Sequence, residues 1–197
     1  MNAIRPLPAA TIQKDAEPTI VFLGRLRSTK RPEEALKIFE VVKADIPSAR
    51  LWIIGIGPRD VALKKLAEGV PDVTFWGWVS EEEKVSLLSR AHLLVVPSVR
   101  EGFGINVIEA ASAGVPAIGY NVPGLRDSIR HGETGYLVDS RDEAAARIVD
   151  LFKDHSAYTQ MSCNCLDYAM GFDWSKRVDE FWAIITGLNK RPPGVED

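Results

Sequence analysis

Short, continuous apolar runs alternate with segments of helical periodicity along most of this chain. The apolar runs are TIVFLG (19–24), LWIIG (51–55), VTFWG (73–77), LLVVP (93–97), PAIGY (116–120) and GYLV (135–138). Runs that are apolar at successive positions are typical of strands covered on both faces. Strands that alternate with helices connect through right-handed crossovers and form a parallel sheet. We therefore predict an open, doubly wound α/β sheet with helices on both faces.

The segment after the first apolar run carries a clear helix signal. In PEEALKIFEVVKADI (32–46), Leu36, Phe39 and Val42 share one face, as the apolar residues of a surface helix do. Pro32 lies near the first turn, where its missing N–H costs nothing.

Three further segments are predicted to be helical. SEEEKVSLLSRA (80–91) and SRDEAAARIVDLF (140–152) each place a glutamate three residues after the opening serine, which is the spacing of a capping box. FDWSKRVDEFWAIITGL (172–188) is amphipathic, with Asp173 as its expected N-cap. We expect residues 1–17 to be a leader or linker, 18–190 to form one domain, and 191–197 to be a frayed tail.

Composition and charge limit the classes of partner. The formal net charge is -3 and no dense block of lysine and arginine occurs, which disfavours nucleic acid. No stretch approaches the ~20 apolar residues of a membrane span, and the first residues lack the apolar core of a signal peptide. Cys163 and Cys165 supply too few ligands for zinc, so we expect reduced thiols in a cytoplasmic protein.

Four consecutive strands are each followed by glycine, charge or both. In parallel α/β sheets, ligands bind at the carboxyl ends of the strands, so these residues are expected to meet in one cleft. They occur in GRLRSTK (24–30), GIGP (55–58), GWVS (77–80) and PSVREGFG (97–104). GIGP follows the second strand and lacks the third glycine of a dinucleotide fingerprint, and no P-loop motif is present.

Arg25 and Lys30 lie on the first of these loops. An arginine and a lysine so placed could hold a diphosphate, although a solvated surface loop has the same composition. No Asp-x-Asp motif occurs in the chain, so a diphosphate here would be neutralised by these cations and by helix-start amides, without metal.

Glu101 and Glu109 lie eight positions apart around the expected start of a helix near Ile105. Two carboxylates at the mouth of a helix have three explanations: a glycosidase acid pair, a metal site, or recognition of sugar hydroxyls. No other Asp, Glu or His clusters near them in the sequence, and phosphate-binding features lie on neighbouring loops. Recognition of hydroxyls is therefore the interpretation that fits best.

EGFGINVIEAASAGVP (101–116), with two glutamates separated by seven residues, resembles the retaining glycosyltransferases of family 4, whose two-domain fold is called GT-B. Further matches occur in the same order along the chain, in GRLRSTK, GIGP, VTFWGWV, VPGLRDSIRHGETGYLV and FDWSKRVDEFW. The resemblance covers residues 18 to about 185. It departs from the family pattern at Pro123-Gly124, where Gly-Gly is usual, at Asp127, and at Asn106.

The resemblance implies a Rossmann-like domain, the C-terminal half of a GT-B fold, that binds a nucleotide-diphosphate sugar and transfers a hexosyl group with retention and without cofactor or metal. It assigns catalytic roles to Arg25 and Lys30, on the diphosphate, and to Glu101, on the hydroxyls of the donor sugar. It assigns donor binding to Gly24, Gly55, Gly57, Trp76, Gly77, Trp78, Gly102, Phe103, Gly104, Ile105 and Glu109, the last holding the ribose.

The same resemblance implies that the N-terminal, acceptor-binding domain is absent from this chain. We expect the isolated chain to bind a UDP-, GDP- or ADP-linked hexose weakly and to transfer nothing. Membrane-surface association would come only through the missing half. The terminal helix, with Trp174, Phe181 and Trp182, could then drive self-association. Alternative interpretations are a non-catalytic nucleotide-sugar binding module and a nucleotide-sugar 2-epimerase of the same fold.

Overall fold

The computed structural model of this protein describes residues 12–172. The predicted leader is thus described only from residue 12, and the predicted helix over 172–188 lies outside the described residues apart from Phe172. The strands are Thr19–Leu23 (β1), Arg50–Ile54 (β2), Val73–Gly77 (β3), Leu93–Val96 (β4), Ala117–Tyr120 (β5) and Gly135–Val138 (β6). The helices are Pro32–Asp45 (α1), Asp60–Leu66 (α2), Glu81–Arg90 (α3), Ile105–Ala111 (α4), Pro123–Arg126 (α5), Arg141–Lys153 (α6) and His155–Ala169 (α7), with a 3₁₀ turn at Met170–Phe172.

The strands form one parallel sheet in the order β3-β2-β1-β4-β5-β6. The chain adds strands outward from β1 on one side and then returns to add β4 on the other. The edge of the sheet at the carboxyl ends of β1 and β4 is therefore the topological switch point, where open α/β sheets bind their ligands. The predicted doubly wound sheet is confirmed.

Helices cover both faces of this sheet. On one face, α1, α2 and α6 pack against Ile20 and Phe22 of β1, and on the other, α3, α4 and α5 pack against Val21. Helix α7 forms a further layer outside α4, where Cys165 meets Ile108. Within residues 12–172, no helix is both long enough and apolar enough to cross a membrane.

Strand β3 differs from the prediction that every apolar run is covered on both faces. It lies at the edge of the sheet, and its side chains alternate between half-buried and exposed positions. Trp76 is 40% exposed, and its ring packs edge-on against Trp52 of β2 at a centroid distance of 5.7 Å. The apolar run VTFWG therefore stems from aromatic packing on one side and not from burial on both.

The predicted serine caps occur at both helices, but in different forms. At α3, the Ser80 hydroxyl accepts from the Glu83 N–H and the Glu83 carboxylate accepts from the Ser80 N–H, which completes a capping box. At α6, Ser140 accepts from the Glu143 N–H in the same way, whereas the carboxylate accepts from Asp139 N–H instead of from Ser140.

His92, at the junction of α3 and β4, is a structural acceptor inside the fold. Its Nδ1 accepts from the Thr19 N–H at 3.1 Å, which connects it to the first residue of β1. Burial, together with the charge of Lys14, lowers the pKa of His92 to about 4 against the opposing effect of Asp15. The folded protein therefore holds this imidazole neutral through mildly acidic conditions, whereas the unfolded chain protonates it.

We expect the free energy of unfolding to decrease as pH falls from about 6.5 towards 4, because only the unfolded state takes up this proton there. After allowance for solvent screening of a partly buried group, the expected loss is on the order of 2 kcal/mol. Urea unfolding at a series of pH values measures it. The His92→Gln variant keeps an acceptor without the titration and should lack this part of the slope; parallel curves for the two proteins would contradict the assignment.

Candidate functional site

A cleft of about 760 Å³ opens at the carboxyl ends of β1, β2 and β3. Its lining comprises Leu23, Gly24, Arg25 and Arg27 from the first loop, Ile54, Gly55, Ile56, Gly57 and Pro58 from the second, Gly77, Trp78 and Val79 from the third, and Glu81 and Lys84 from α3. The structure thus brings together six of the residues assigned to the site from sequence. It adds Arg27, Glu81 and Lys84, which the sequence analysis did not identify.

Gly55 and Gly57 let the first two loops approach each other. A Cβ on Gly55 would lie 2.0 Å from the Gly24 carbonyl oxygen, and one on Gly57 would lie 2.4 Å from the Leu26 carbonyl oxygen. The Gly24 N–H donates to Ile54 O at 3.0 Å and the Gly55 N–H donates to Gly77 O at 2.7 Å. The N–H groups of Gly24 and Gly55 already donate to neighbouring strand ends, so these two residues offer no free N–H to a ligand. Gly55 and Gly57 contribute the close approach of the loops, and the space at the Cβ position of Gly24 is open.

The third strand end contributes backbone and one exposed ring. Gly77 has φ +67°, a left-handed conformation suited to glycine, and the space at its Cβ position is open. Trp78 lines the cleft and is 74% exposed. Trp76 is outside the lining, because alternation along β3 directs it to Trp52.

Lys30 and Glu101 contact each other although 71 positions separate them. Lys30 Nζ lies 2.6 Å from Oε1 and 2.5 Å from Oε2 of Glu101, whose side chain is 10% exposed. Their loops are also joined through the backbone, because the Val99 N–H donates to Thr29 O at 3.1 Å. Lys30 lies on the loop that follows β1 and Glu101 on the loop that follows β4, and neither residue is in the lining of the cleft.

The start of α4 is attached to the cleft through Asn106. Its Nδ2 donates to the carbonyl oxygen of Leu23, a lining residue, at 2.9 Å. Asn106 thus anchors α4 to the end of β1. Ile105, at the first position of α4, is 39% exposed, whereas the Phe103 ring packs against Phe172 at a centroid distance of 5.8 Å.

Glu109 is not in the lining of the cleft but is paired with Lys84, which is. Lys84 Nζ lies 2.8 Å from Glu109 Oε1 and 2.7 Å from Glu81 Oε2, and the lysine side chain is 14% exposed. Burial alone would lower the pKa of Lys84, but hydrogen bonds and charge from Glu109 and Glu81 outweigh it and raise that pKa. This cation is therefore fully charged at neutral pH and holds the Glu109 carboxylate at the edge of the cleft.

Three glycines shape the loop that carries Glu101. Gly104 is the N-cap of α4 with φ +75°, and its missing side chain makes room for Ser128 and Leu125. A Cβ on Gly124 would lie 2.3 Å from the Glu101 carbonyl oxygen, so α5 packs directly on this loop. Gly102, by contrast, faces open space.

The site as a whole combines cations, carboxylates and a cleft lined in part by glycine backbone. Arg25 and Arg27 line the cleft, and two lysines each hold a carboxylate beside it. Within residues 12–172, no group of three or more His, Cys, Asp or Glu side chains is arranged to hold a metal ion. Such a cleft suits a ligand that carries both negative charge and hydroxyl groups.

Comparison with known proteins gives one family and a consistent set of relatives. The family model described as glycosyl transferases group 1 matches residues 5–165. A D-inositol 3-phosphate glycosyltransferase of Thermobispora bispora is 29% identical over 97% of this chain and 49% of its own length. A GDP-mannose-dependent alpha-(1-6)-phosphatidylinositol monomannoside mannosyltransferase of Mycobacterium tuberculosis is 32% identical over 88% of this chain and 48% of its own. The chain spans about half the length of these relatives.

Solved structures confirm the fold. The pneumococcal O-GlcNAc transferase GtfA, in complex with UDP and GlcNAc, has a TM-score of 0.85 at 21% identity over 96% of this chain and 39% of its own. The C-terminal domain of LpcC, a glycosyl transferase group 1 family protein of Francisella tularensis, has a TM-score of 0.72 at 24% identity, over 85% of this chain and 94% of its own. The Rossmann-like sheet with helices on both faces is thus that of a GT-B protein, and it fits the C-terminal domain.

Proposed function

Because this chain belongs to the glycosyl transferases group 1 family, we propose that it is the donor-binding domain of a metal-independent, retaining glycosyltransferase of family 4. Its substrate is a nucleotide-diphosphate hexose, linked to UDP, GDP or ADP, and its product is a hexosylated acceptor. The single observation that carries this proposal is that cations, glycine backbone and two carboxylates, each paired with a lysine, come together at one edge of the sheet.

The donor is assigned to this edge by charge and by hydrogen-bonding capacity. Arg25 and Lys30 bind the diphosphate, the arginine through paired N–H groups and the lysine as a point charge. Glu101 accepts from hydroxyls of the transferred hexose and Glu109 from those of the ribose, since ionised carboxylates are acceptors only. The backbone at Gly77 and Trp78 borders the nucleobase.

The chemistry is a substitution at the anomeric carbon of the hexose. The bond from this carbon to the diphosphate oxygen breaks, a bond to the acceptor oxygen forms on the same face, and the acceptor proton passes to the leaving phosphate. Negative charge grows on that phosphate as its bond breaks, so fixed cations lower the barrier by stabilising it. Arg25 and Lys30 supply the positive charge that a metal ion supplies in other enzymes.

The acceptor is assigned to a different domain. This chain spans about half the length of its curated relatives, and we assign its cleft to the donor. We therefore infer that the chain alone binds the donor without transferring the sugar. A chimaera with the N-terminal half of the Thermobispora bispora relative should transfer it, in the presence of EDTA and with the donor's anomeric configuration retained, as NMR of the product would show.

Donor binding is tested directly on the described cleft. A nucleotide diphosphate at about 100 times its Kd should stabilise the protein by about 2.7 kcal/mol. For a domain of this size, that corresponds to a rise in Tm of roughly 5–10 °C. Thermal unfolding with UDP, GDP, ADP and their hexose conjugates measures the effect and identifies the nucleotide.

Arg25→Ala should abolish most of this shift, and Lys153→Ala, at the exposed end of α6, should leave it intact. If none of these compounds raised Tm at millimolar concentration, the donor site would be wrongly assigned. Binding without transfer in the chimaera would instead identify a nucleotide-sugar binding module.

A further inference from the structure

Arg31 holds an uncommon backbone conformation beside the site. Its φ and ψ are 50° and 53°, in the left-handed region, where it serves as the N-cap of α1. Residues with a side chain rarely adopt this conformation, and the residue before a proline, here Pro32, is normally extended. A conformation that is disfavoured twice persists only where surrounding contacts maintain it. The residue immediately before Arg31 is Lys30.

The Arg31 side chain is held on two sides. Its Nη2 lies 3.0 Å from Glu34 Oε2, and its guanidinium stacks over the Tyr120 ring, 5.2 Å from the centroid. Glu34 lies in the first turn of α1 with a side chain that is 8% exposed. Tyr120 is the last residue of β5. The left-handed residue is therefore attached both to its own helix and to the sheet.

Glu34 gathers donors from three elements. Its Oε1 accepts from the Tyr120 hydroxyl at 2.9 Å and from Arg141 Nε at 3.0 Å, while its Oε2 accepts from Arg141 Nη2 at 3.1 Å. Burial acts to raise the pKa of Glu34, but the hydrogen bonds from Arg141 and Tyr120 and the charge of Arg31 outweigh it and lower that pKa. The carboxylate is thus ionised at neutral pH and fully partnered, which makes its position well defined.

The conformation of Arg31 determines the direction of Lys30. The N–H groups of Lys30 and Arg31 both donate to the Arg27 carbonyl oxygen, at 2.9 Å and 3.2 Å, so the two residues belong to one tight turn. Rotation of Arg31 into an extended conformation would change the angle between α1 and the turn that contains Lys30. The lysine ammonium would then leave the carboxylate of Glu101, which it contacts at 2.5 Å.

We propose that Glu34, with Arg141 and Tyr120, is a positioning group that keeps Arg31 left-handed and thereby places Lys30 against Glu101. None of these side chains is among the residues that line the cleft, so their effect on the ligand is transmitted through the turn. The proposal rests on the proposed function only in so far as Lys30 binds the diphosphate. The placement of Lys30 itself is measurable without any nucleotide.

Glycine at position 31 distinguishes an effect on the backbone conformation of Arg31 from a general effect on the stability of α1. Glycine adopts the left-handed conformation without help from neighbouring side chains. The variants are Glu34→Gln, Arg31→Ala, Arg31→Gly and the double variant Arg31→Gly/Glu34→Gln. The first readout is the rate at which an N-hydroxysuccinimide ester acylates Lys30, followed by peptide mass spectrometry, with Lys64 as the internal reference. The second readout is the Kd for UDP, GDP and inorganic pyrophosphate by calorimetry.

We expect Glu34→Gln and Arg31→Ala to raise Lys30 acylation severalfold and to weaken diphosphate binding about fourfold. Arg31→Gly and the double variant should stay within about twofold of the original protein, so that glycine at position 31 rescues the loss of the Glu34 charge. A double variant as impaired as Glu34→Gln would overturn the proposal, because Glu34 would then act only through the stability of α1.

The single substitutions at position 31 decide the question even if Glu34→Gln fails to fold. Arg31 is 35% exposed, so alanine and glycine are both tolerated sterically there, and equal acylation rates for the two variants would overturn the proposal. If the original protein bound no nucleotide and no pyrophosphate, the proposed function would fail while the acylation series still tested the positioning.

Discussion

Lys30→Ala is expected to lower turnover by about a hundredfold or more in a preparation that transfers sugar, while donor Kd changes by less than about tenfold. In the free protein the Lys30 ammonium is already neutralised by Glu101, with Nζ–Oε2 at 2.5 Å. Its net contribution to binding the ground-state donor is therefore small. Its contribution rises when negative charge develops on the departing phosphate, because a fixed donor then stabilises the transition state by about 3 kcal/mol.

Steady-state and single-turnover measurements over a range of donor concentrations separate these effects. Removal of Lys30 also leaves the Glu101 carboxylate without its partner, so Lys30→Ala/Glu101→Gln distinguishes loss of the cation from exposure of the acid. Lys64→Ala, which removes an exposed lysine paired with Asp60 at 2.9 Å on α2, is the matched control and should be silent. Equal losses in turnover and in affinity would contradict this role for Lys30.

Gly124→Ala is expected to weaken donor binding by at least tenfold and to destabilise the fold by about 2 kcal/mol. The new Cβ would lie 2.3 Å from the carbonyl oxygen of Glu101 and 2.7 Å from the carbonyl carbon of Gly102, both backbone atoms that no rotamer change can move. The loop after β4 must shift, and Glu101 shifts with it away from Lys30.

Gly102→Ala provides the matched comparison. Its Cβ would meet nothing within 4 Å, so stability should change little. If the donor occupies that space, Gly102→Ala weakens binding without lowering Tm, whereas Gly124→Ala affects both. Calorimetry and thermal unfolding on the two variants make the comparison, and an unchanged Kd in Gly124→Ala would show that the position of this loop does not matter for the donor.

Local sequence signals predicted the elements whose pattern is strong. The six apolar runs became the six strands of the described sheet, within one residue at each end. Burial on both faces accounts for the runs of the central strands, and aromatic packing on one side accounts for that of β3. The helices with serine caps or an apolar stripe, α1, α3 and α6, were predicted for equally local reasons. Helices α2, α5 and α7 were not predicted. The inner face of α7 consists of Met161, Cys165 and Ala169, whose small and mixed side chains form no recognisable stripe.

The site was predictable to the extent that topology alone brings strand ends together. Glycine and charge after β1, β2 and β3 do meet in one cleft. The pairings Lys30–Glu101 and Lys84–Glu109 depend on contacts between distant segments, and no local pattern marks them. The segment SEEEK at the start of α3 did contain a signal for Lys84. It places a single lysine directly after three acidic residues, in the first turn of the helix that follows β3. The position of Trp76 was missed because an edge strand cannot be told from a central one by composition.

The two cysteines on α7 differ in burial, which allows one of them to be labelled selectively to follow ligand binding. Burial raises the pKa of Cys165 to about 12 and its thiol donates to Thr134 O, whereas Cys163 is exposed on the same helix. A maleimide dye should therefore attach to Cys163 alone, without any engineered mutation. Since α7 packs on α4, and α4 carries Glu109, we expect the fluorescence of that dye to change on addition of a nucleotide if Glu109 binds it as proposed.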